Sequence, residues 1–275
     1  MRGLVIASLG LALAATVTAG LASVPPAPLF AAHRGGALLW PENSLLAFRN
    51  AVHLGADYLE FDVHLAGDGE VVVIHDATLD RTTTGRGPVR ERTVAALKTL
   101  RLVDRTGAVL DEAIPTLDEV VATAATGKRR MLLEIKVDER RQRYPGIEEK
   151  VIAILDRHGM AASTVVMAFE PETWHRVREL RPGITAGALY SPATLRSMGS
   201  TIASQLGDAK RAGVRFVGLH QALVDAETVA AARSAGMMLG VWTVNEPDAL
   251  RRFIEQRVGI LITDRPDLAK ALLDR

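Results

Sequence analysis

The chain has 275 residues, a formal net charge of +1, and 48% hydrophobic against 24% charged residues. That length suffices for one large domain, and so even a charge balance offers no field to steer it onto nucleic acid. The absence of cysteine excludes disulfides, thiolate metal sites and a cysteine nucleophile together.

The first segment in chain order is set apart. Residues 1–30 carry one charge, Arg2, and an apolar stretch runs from Gly3 to about Ser23 with small residues near Ala19 and Ala22. This is the pattern of a secretory signal peptide. The rival is an uncleaved membrane tether through residues 3–23, because about 20 apolar residues just span a bilayer. The many alanines and glycines and the SVPPAP break favour cleavage. On either reading, residues 1–24 send the body out of the cytoplasm, to the periplasm or beyond.

From Pro25 onward short β-rich runs alternate with helical stretches. Strands are expected at Leu29–His33, Tyr58–Val63, Val71–His75, Met131–Lys136, Thr164–Phe169, Ile184–Leu189, Arg215–Leu219, Leu239–Val244 and Gly259–Thr263. Most are unbroken apolar runs, as parallel strands buried on both faces should be. Helices are expected over 41–55, 116–127, 146–159, 171–180, 225–236 and 247–259, several closing on glycine and two opening with proline. Repeated strand–helix units over this length predict a closed TIM (β/α)8 barrel spanning 25–275. The first strand lacks the G-x-G-x-x-G spacing of a dinucleotide fold. Residues 77–115 are longer and more polar than the other connections and read as a small insertion after the third strand. Only seven residues part Val63 from Val71, too few for a parallel crossover but right for a hairpin. A turn near Asp68 would set His75 opposite Phe61, beside Glu60 and Asp62. The hairpin also accounts for nine strands at eight barrel positions, and the sequence does not fix which strand is the extra one.

Charged groups gather at the strand ends. Glu60 and Asp62 are two apart on a strand and share a face, as do Glu134 and Lys136 on another. Inward carboxylates in an apolar run are costly unless a cation lies between them. Three carboxylates without thiols describe an oxygen site for one divalent cation, Ca2+ or Mg2+. The bland rival is a set of buried salt bridges neutralised by Lys136. His33 and His75 each end a strand and have the pKa range for one base and one acid. Arg34 can grip phosphate oxygens in a fork, so the cluster suits a phosphoester better than an acyl group. The glycines after Arg34 would let the backbone pass close to a substrate. Among the other histidines, His64 is expected to point outward, and His53, His158 and His175 to lie on helix surfaces. His220 ends a strand and could edge the pocket.

These residues carry a family resemblance. "AHRGG", "PEN", "EFD", "VIHD" followed by "RTTTGRG", then "IPTLDEV", "LLEIK", "VWTVN" and "GILITDRPD" resemble the glycerophosphodiester phosphodiesterases, in order from about Leu29 to the C-terminus. The resemblance implies a TIM barrel that needs a divalent cation and cleaves small-molecule glycerophosphodiesters to sn-glycerol 3-phosphate and an alcohol. Carried over by position, it makes His33 and His75 the acid–base pair and Glu60, Asp62 and Glu134 the metal ligands. Arg34 and Lys136 become phosphate contacts, Glu42 and Asn43 supports of the first loop, and Trp242 a wall of the pocket, with Phe169 a weaker candidate. Ser44 stands where the motif prefers threonine and keeps the hydroxyl. The implied route has the glycerol 2-hydroxyl attack phosphorus, giving a cyclic phosphate that water then opens. Two other readings fit less of the chain: a lysophospholipase D or sphingomyelinase D-like enzyme, and a non-catalytic glycerophosphodiester-binding protein.

Overall fold

A computed structural model describes residues 26–274; the leader at 1–24, with its tether stretch 3–23, lies outside the described residues. Among the described residues no helix is long and apolar enough to cross a membrane. The strands are β1 (Leu29–Ala32), β2 (Tyr58–Leu65), β3 (Val71–Val73), β4 (Arg130–Ile135), β5 (Thr164–Ala168), β6 (Thr185–Tyr190), β7 (Phe216–His220), β8 (Met238–Trp242) and β9 (Ile260–Thr263). All nine fall on the apolar runs of the sequence.

Eight of them, all but β3, pair in parallel in the order β1, β2, β4 to β9, and β9 returns to β1 to close the barrel. β3 is the extra strand. β1 stops at Ala32, which pairs with Leu59, while β2 runs on to Leu65. Above Leu59 that edge of β2 has lost its barrel neighbour, and β3 folds back onto it antiparallel, Val73 opposite Val63. Continued two residues, this register sets His75 level with Phe61, and the Ile74 N–H donates to the Asp62 carbonyl at 3.0 Å.

The helices are α1 (Leu45–Leu54), α2 (Val94–Lys98), α3 (Leu117–Thr126), α4 (Ile147–Arg157), α5 (Pro171–Leu180), α6 (Pro192–Ser197), α7 (Ile202–Arg211), α8 (Ala226–Ser234), α9 (Pro247–Glu255) and α10 (Pro266–Leu273). The sequence periodicity marks α1, α3, α4, α5, α8 and α9. It misses the rest because they are short, or like α7 carry a glycine inside; packing on the barrel rather than intrinsic propensity holds them.

Period-two alternation sorts the strand residues. Leu59, Phe61 and Val63 face the helices, while Tyr58, Leu132, Val165, Met167, Leu189, Phe216, Ile260 and Ile262 fill the barrel. The centre of that filling is Phe216. A Cβ on Gly187 would meet its ring at 2.8 Å and one on Gly240 at 2.6 Å. These glycines serve space, not unusual backbone. Gly240→Ala should therefore overpack the barrel and cost about 1–3 kcal/mol, read as a lower urea midpoint with unchanged slope; wild-type stability would refute this account.

Residues 77–115 carry α2 and a small apolar cluster of their own, with Leu79, Leu97, Leu102 and Ile114 packed on Ala66, Val72 and Ile74 of the hairpin. The described chain begins at the opposite end of the barrel, its floor, where Pro26, Ala27 and Leu29 border a groove with Met238, Leu239 and Val258.

Candidate active site

The same alternation that fills the barrel with apolar side chains puts Glu60 and Asp62 above Tyr58, and Glu134 and Lys136 above Leu132. These open into a cavity of about 170 Å³ at the barrel mouth, walled by His33, Arg34, Glu60, Asp62, His75, Glu134 and Lys136 on one side. Met167, Phe169, Leu189, Trp242 and Ile262 form the other.

Glu60, Asp62 and Glu134 are buried, and one oxygen of each lies within 4.8 Å of the others. An ion held at about 2.3–2.6 Å from each oxygen fits inside such a triangle, and an all-carboxylate donor set suits calcium or magnesium. The electrostatics agree with that fit. Burial, with Asp62 and Glu134 alongside, pushes the Glu60 carboxyl up to about 7. A cation in the triangle would remove that penalty. Against burial, Lys136 holds Asp62 far below the usual carboxylate range. The Lys136 ammonium lies 2.7 Å from Glu134 and 3.4 Å from Asp62, and these carboxylates keep it charged despite burial. Salt bridges and a triangle of acids able to hold a cation thus coexist: one lysine flanks three acids.

The loop after β1 places the next groups. His33 follows Ala32 directly, and its Nδ1–H donates to the Asp264 carboxylate, just past β9, at 2.6 Å. Asp264 is fixed in turn by the Asn245 amide at 2.7 Å, and its own backbone N–H donates to Asn245 at 2.9 Å. Although burial opposes it, Glu60 and Asp264 together raise the His33 pKa above its ordinary value. Arg34 has left-handed backbone (φ 49°), a strained choice for a side chain of its kind, and its N–H donates to Glu60 at 2.8 Å. The Arg34 guanidinium is held by Glu42 at 3.1 Å and lies 3.6 Å from Asp62. Asn43 accepts the left-handed region more readily (φ 55°); its N–H donates to the Arg34 carbonyl at 2.9 Å and its amide to Asp62 at 3.0 Å. Glu42 and Asn43 therefore brace the first loop from beneath. Ser44 caps α1, accepting from the Ala47 N–H at 3.0 Å.

Two expectations need correcting. The glycines after Arg34 do not line the cavity: a Cβ on Gly35 would meet the Ala47 Cβ at 2.7 Å and one on Gly36 the Pro266 Cγ and the Trp40 ring at 3.1 Å, so they let the loop close onto α1 and α10. His64 is not outward. It is two residues beyond Asp62 and so shares its face, and above the barrel rim that face is covered. Its ring is 1% exposed, bonded to the Tyr144 hydroxyl at 2.9 Å and to the His75 carbonyl at 3.0 Å, and burial drops its pKa to about 4. His64 thus stays neutral and anchors the backbone of His75. His53 and His175 are exposed, and His158 is half-buried against Asp118 at 3.0 Å. His220 stands behind Trp242, ring centroids 5.2 Å apart, rather than in the cavity wall.

His75 lines the same cavity as His33 and the carboxylates, and its Nδ1 lies 2.6 Å from Asp76. Trp242 meets Phe169 edge-on at 5.8 Å, and its indole N–H is buried without a hydrogen-bond partner among the described residues. The sequence reading omits Asp76, Asp264, Asn245, His64 and Tyr144 from the site. Asp76 had a visible signal as the residue after a strand-end histidine, and Asn245 and Asp264 stood inside the VWTVN and GILITDRPD stretches.

Two carboxylate-backed histidines, a three-acid cation cradle and an arginine at the mouth of a (β/α)8 barrel define a phosphodiester hydrolase of the barrel type. The chain belongs to the glycerophosphoryl diester phosphodiesterase family, whose model matches residues 33–268. It is similar to a glycerophosphodiester phosphodiesterase of Caldanaerobacter subterraneus subsp. tengcongensis, 32% identical over 87% of this chain and 95% of that one. A crystallised protein of Agrobacterium tumefaciens C58, itself ascribed to these phosphodiesterases, is 28% identical with a TM-score of 0.83, covering 90% of this chain and 98% of its own. An Oleispira antarctica phosphodiesterase crystallised with the product sn-glycerol-3-phosphate is 25% identical with a TM-score of 0.75, covering 90% and 98%.

Proposed function

We propose that the protein hydrolyses glycerophosphodiesters to sn-glycerol 3-phosphate and a free alcohol, with a divalent cation, Ca2+ or Mg2+, in the Glu60–Asp62–Glu134 cradle. The observation that carries this reading is the pair of histidines, each bonded to its own carboxylate, flanking those three acids. The bound cation would supply charge compensation at the phosphoryl oxygens and a lowered pKa for a hydroxyl beside it. The rest is done by the chain. One histidine takes the proton of the glycerol 2-hydroxyl, whose oxygen attacks phosphorus. The other gives its proton to the departing alcohol as the phosphorus–oxygen bond breaks. Arg34 and Lys136 offset the charge that builds on the phosphoryl group. A cyclic glycerol phosphate results, and water opens it with the histidine roles exchanged.

The size of the cavity supports a small polyol phosphate. A cavity of about 170 Å³ suits a glycerol phosphate with its alcohol left at the mouth. The Met167–Leu189–Ile262 side would pack the glycerol carbons, with the Trp242 ring part of the same wall. Residues 1–24 would export this activity, as a cleaved signal or as a tether through 3–23.

The test incubates the full chain with glycerophosphocholine, glycerophosphoethanolamine and lysophosphatidylcholine, with and without Ca2+ or Mg2+, and follows phosphorus by NMR. The first two should give sn-glycerol 3-phosphate. Choline released only from the lysolipid would move the activity to the lysophospholipase D class, and binding without turnover would leave a binding protein. A glycerophosphocholine analogue lacking the 2-hydroxyl should remain uncleaved, since it has no internal nucleophile; its normal hydrolysis would remove the cyclic route.

A further inference from the structure

The second histidine is fixed from outside the barrel, by a side chain of the 77–115 segment. Arg81 sends Nε to Asp76 Oδ2 at 2.7 Å and Nη2 to Asp76 Oδ1 at 3.0 Å. Its other edge meets Glu42, Nη1 to Oε2 at 2.8 Å and Nη2 to Oε1 at 2.9 Å. Asp76 is the carboxylate that holds the His75 ring, and Glu42 the one that holds the Arg34 guanidinium. We propose that Arg81 is a positioning residue for the diesterase reaction, joining the His75 half of the acid–base pair to the Arg34 phosphate clamp and setting the spacing between them.

The chemistry requires arginine. Only a planar guanidinium offers two forked edges that can serve four carboxylate oxygens at once; a lysine ammonium is a point charge with three donors. Arg81 does not line the cavity, so it acts through Asp76 and Glu42 rather than on substrate. Its own loop is tied down: Leu79 is fully buried in the cluster of the 77–115 segment, and Thr83 donates to the Leu79 carbonyl at 2.7 Å and accepts from the Gly85 N–H at 2.9 Å. On this view the segment has a catalytic purpose, which is to deliver one side chain to the rim. The Arg81 side chain is 47% exposed. Ion pairs at such a site add little to stability, so its loss should separate geometry from folding.

This inference rests on the diesterase reading above, and the experiment separates the two. Wild-type protein silent on glycerophosphocholine and glycerophosphoethanolamine overturns that reading and this inference with it. Given an active wild type, Arg81→Ala should lower kcat by about 10–100-fold with a smaller change in KM and little change in Tm. Arg81→Lys should not restore the rate, whereas millimolar guanidinium should restore part of it to Arg81→Ala. In an Asp76→Asn background Arg81→Ala should cost far less, because the route through Asp76 is already cut. Arg101→Ala, which breaks the exposed pair with Asp111 and two long bonds to the Lys98 and Leu100 carbonyls in the same segment, should leave the rate unchanged. A kcat for Arg81→Ala within twofold of wild type overturns the proposal. So does a loss that guanidinium does not relieve and that persists undiminished beside Asp76→Asn, which would mark Arg81 as structural only.

Discussion

His33→Ala should lower kcat on glycerophosphocholine by about 10³-fold or more, and His75→Ala should do the same, each with a barrel that unfolds near the wild-type temperature. General acid–base groups contribute about 10²–10⁴-fold, and here each histidine would act twice, once in forming the cyclic phosphate and once in opening it. Since one group must give a proton whenever the other takes one, the double variant should be scarcely slower than either single. Folding should survive because both rings sit at strand ends and hold little of the apolar packing. Removing His33 leaves Asp264 with its Asn245 bond, and removing His75 leaves Asp76 with its two bonds from Arg81. Near-normal turnover by either variant, checked by circular dichroism for fold, would sink the assignment.

The second large effect is on the cation cradle. Treating the protein with a strong chelator should abolish turnover, and Ca2+ or Mg2+ should restore it. The physical ground is the charge count: Glu60, Asp62 and Glu134 stand within 4.8 Å of one another, and Lys136 and Arg34 bring only two positive charges to them. A readout independent of activity follows. A cation that binds the folded protein alone stabilises it by about 2.7 kcal/mol at one hundred times its Kd, which is roughly 5–10 °C in Tm for a chain of this size. Asp62→Asn should remove most of that shift and most of the turnover, while leaving the Asn43 amide a carbonyl to bond. Full activity in excess chelator, or a Tm indifferent to both ions, would rule the cradle out as a metal site.

Much of this was readable because the barrel imposes simple rules on sequence. Strands buried on both faces must be apolar throughout, so all nine announce themselves, and a polar residue among them stands out at once. Parity then places Glu60 with Asp62 and Glu134 with Lys136, and a seven-residue link sets the register that brings His75 to Phe61. The partners of those residues were not readable, for a different reason. Asp264 lies 231 residues from His33, and only barrel closure between β9 and β1 makes them neighbours. Arg81 looks like any cation in a polar loop until the loop folds. His64 obeys the same parity as Asp62, yet its burial depends on Tyr144, 80 residues on, which no local pattern can supply. Sequence rules fixed by one strand carry far; contacts made across the closed ring do not show in them.

The described chain enters at the floor of the barrel, beside Pro26, Ala27 and Met238, while every reactive group stands at the opposite rim. The molecule is thus a cup that the described chain enters at its foot, with the mouth on the far side left clear of that end.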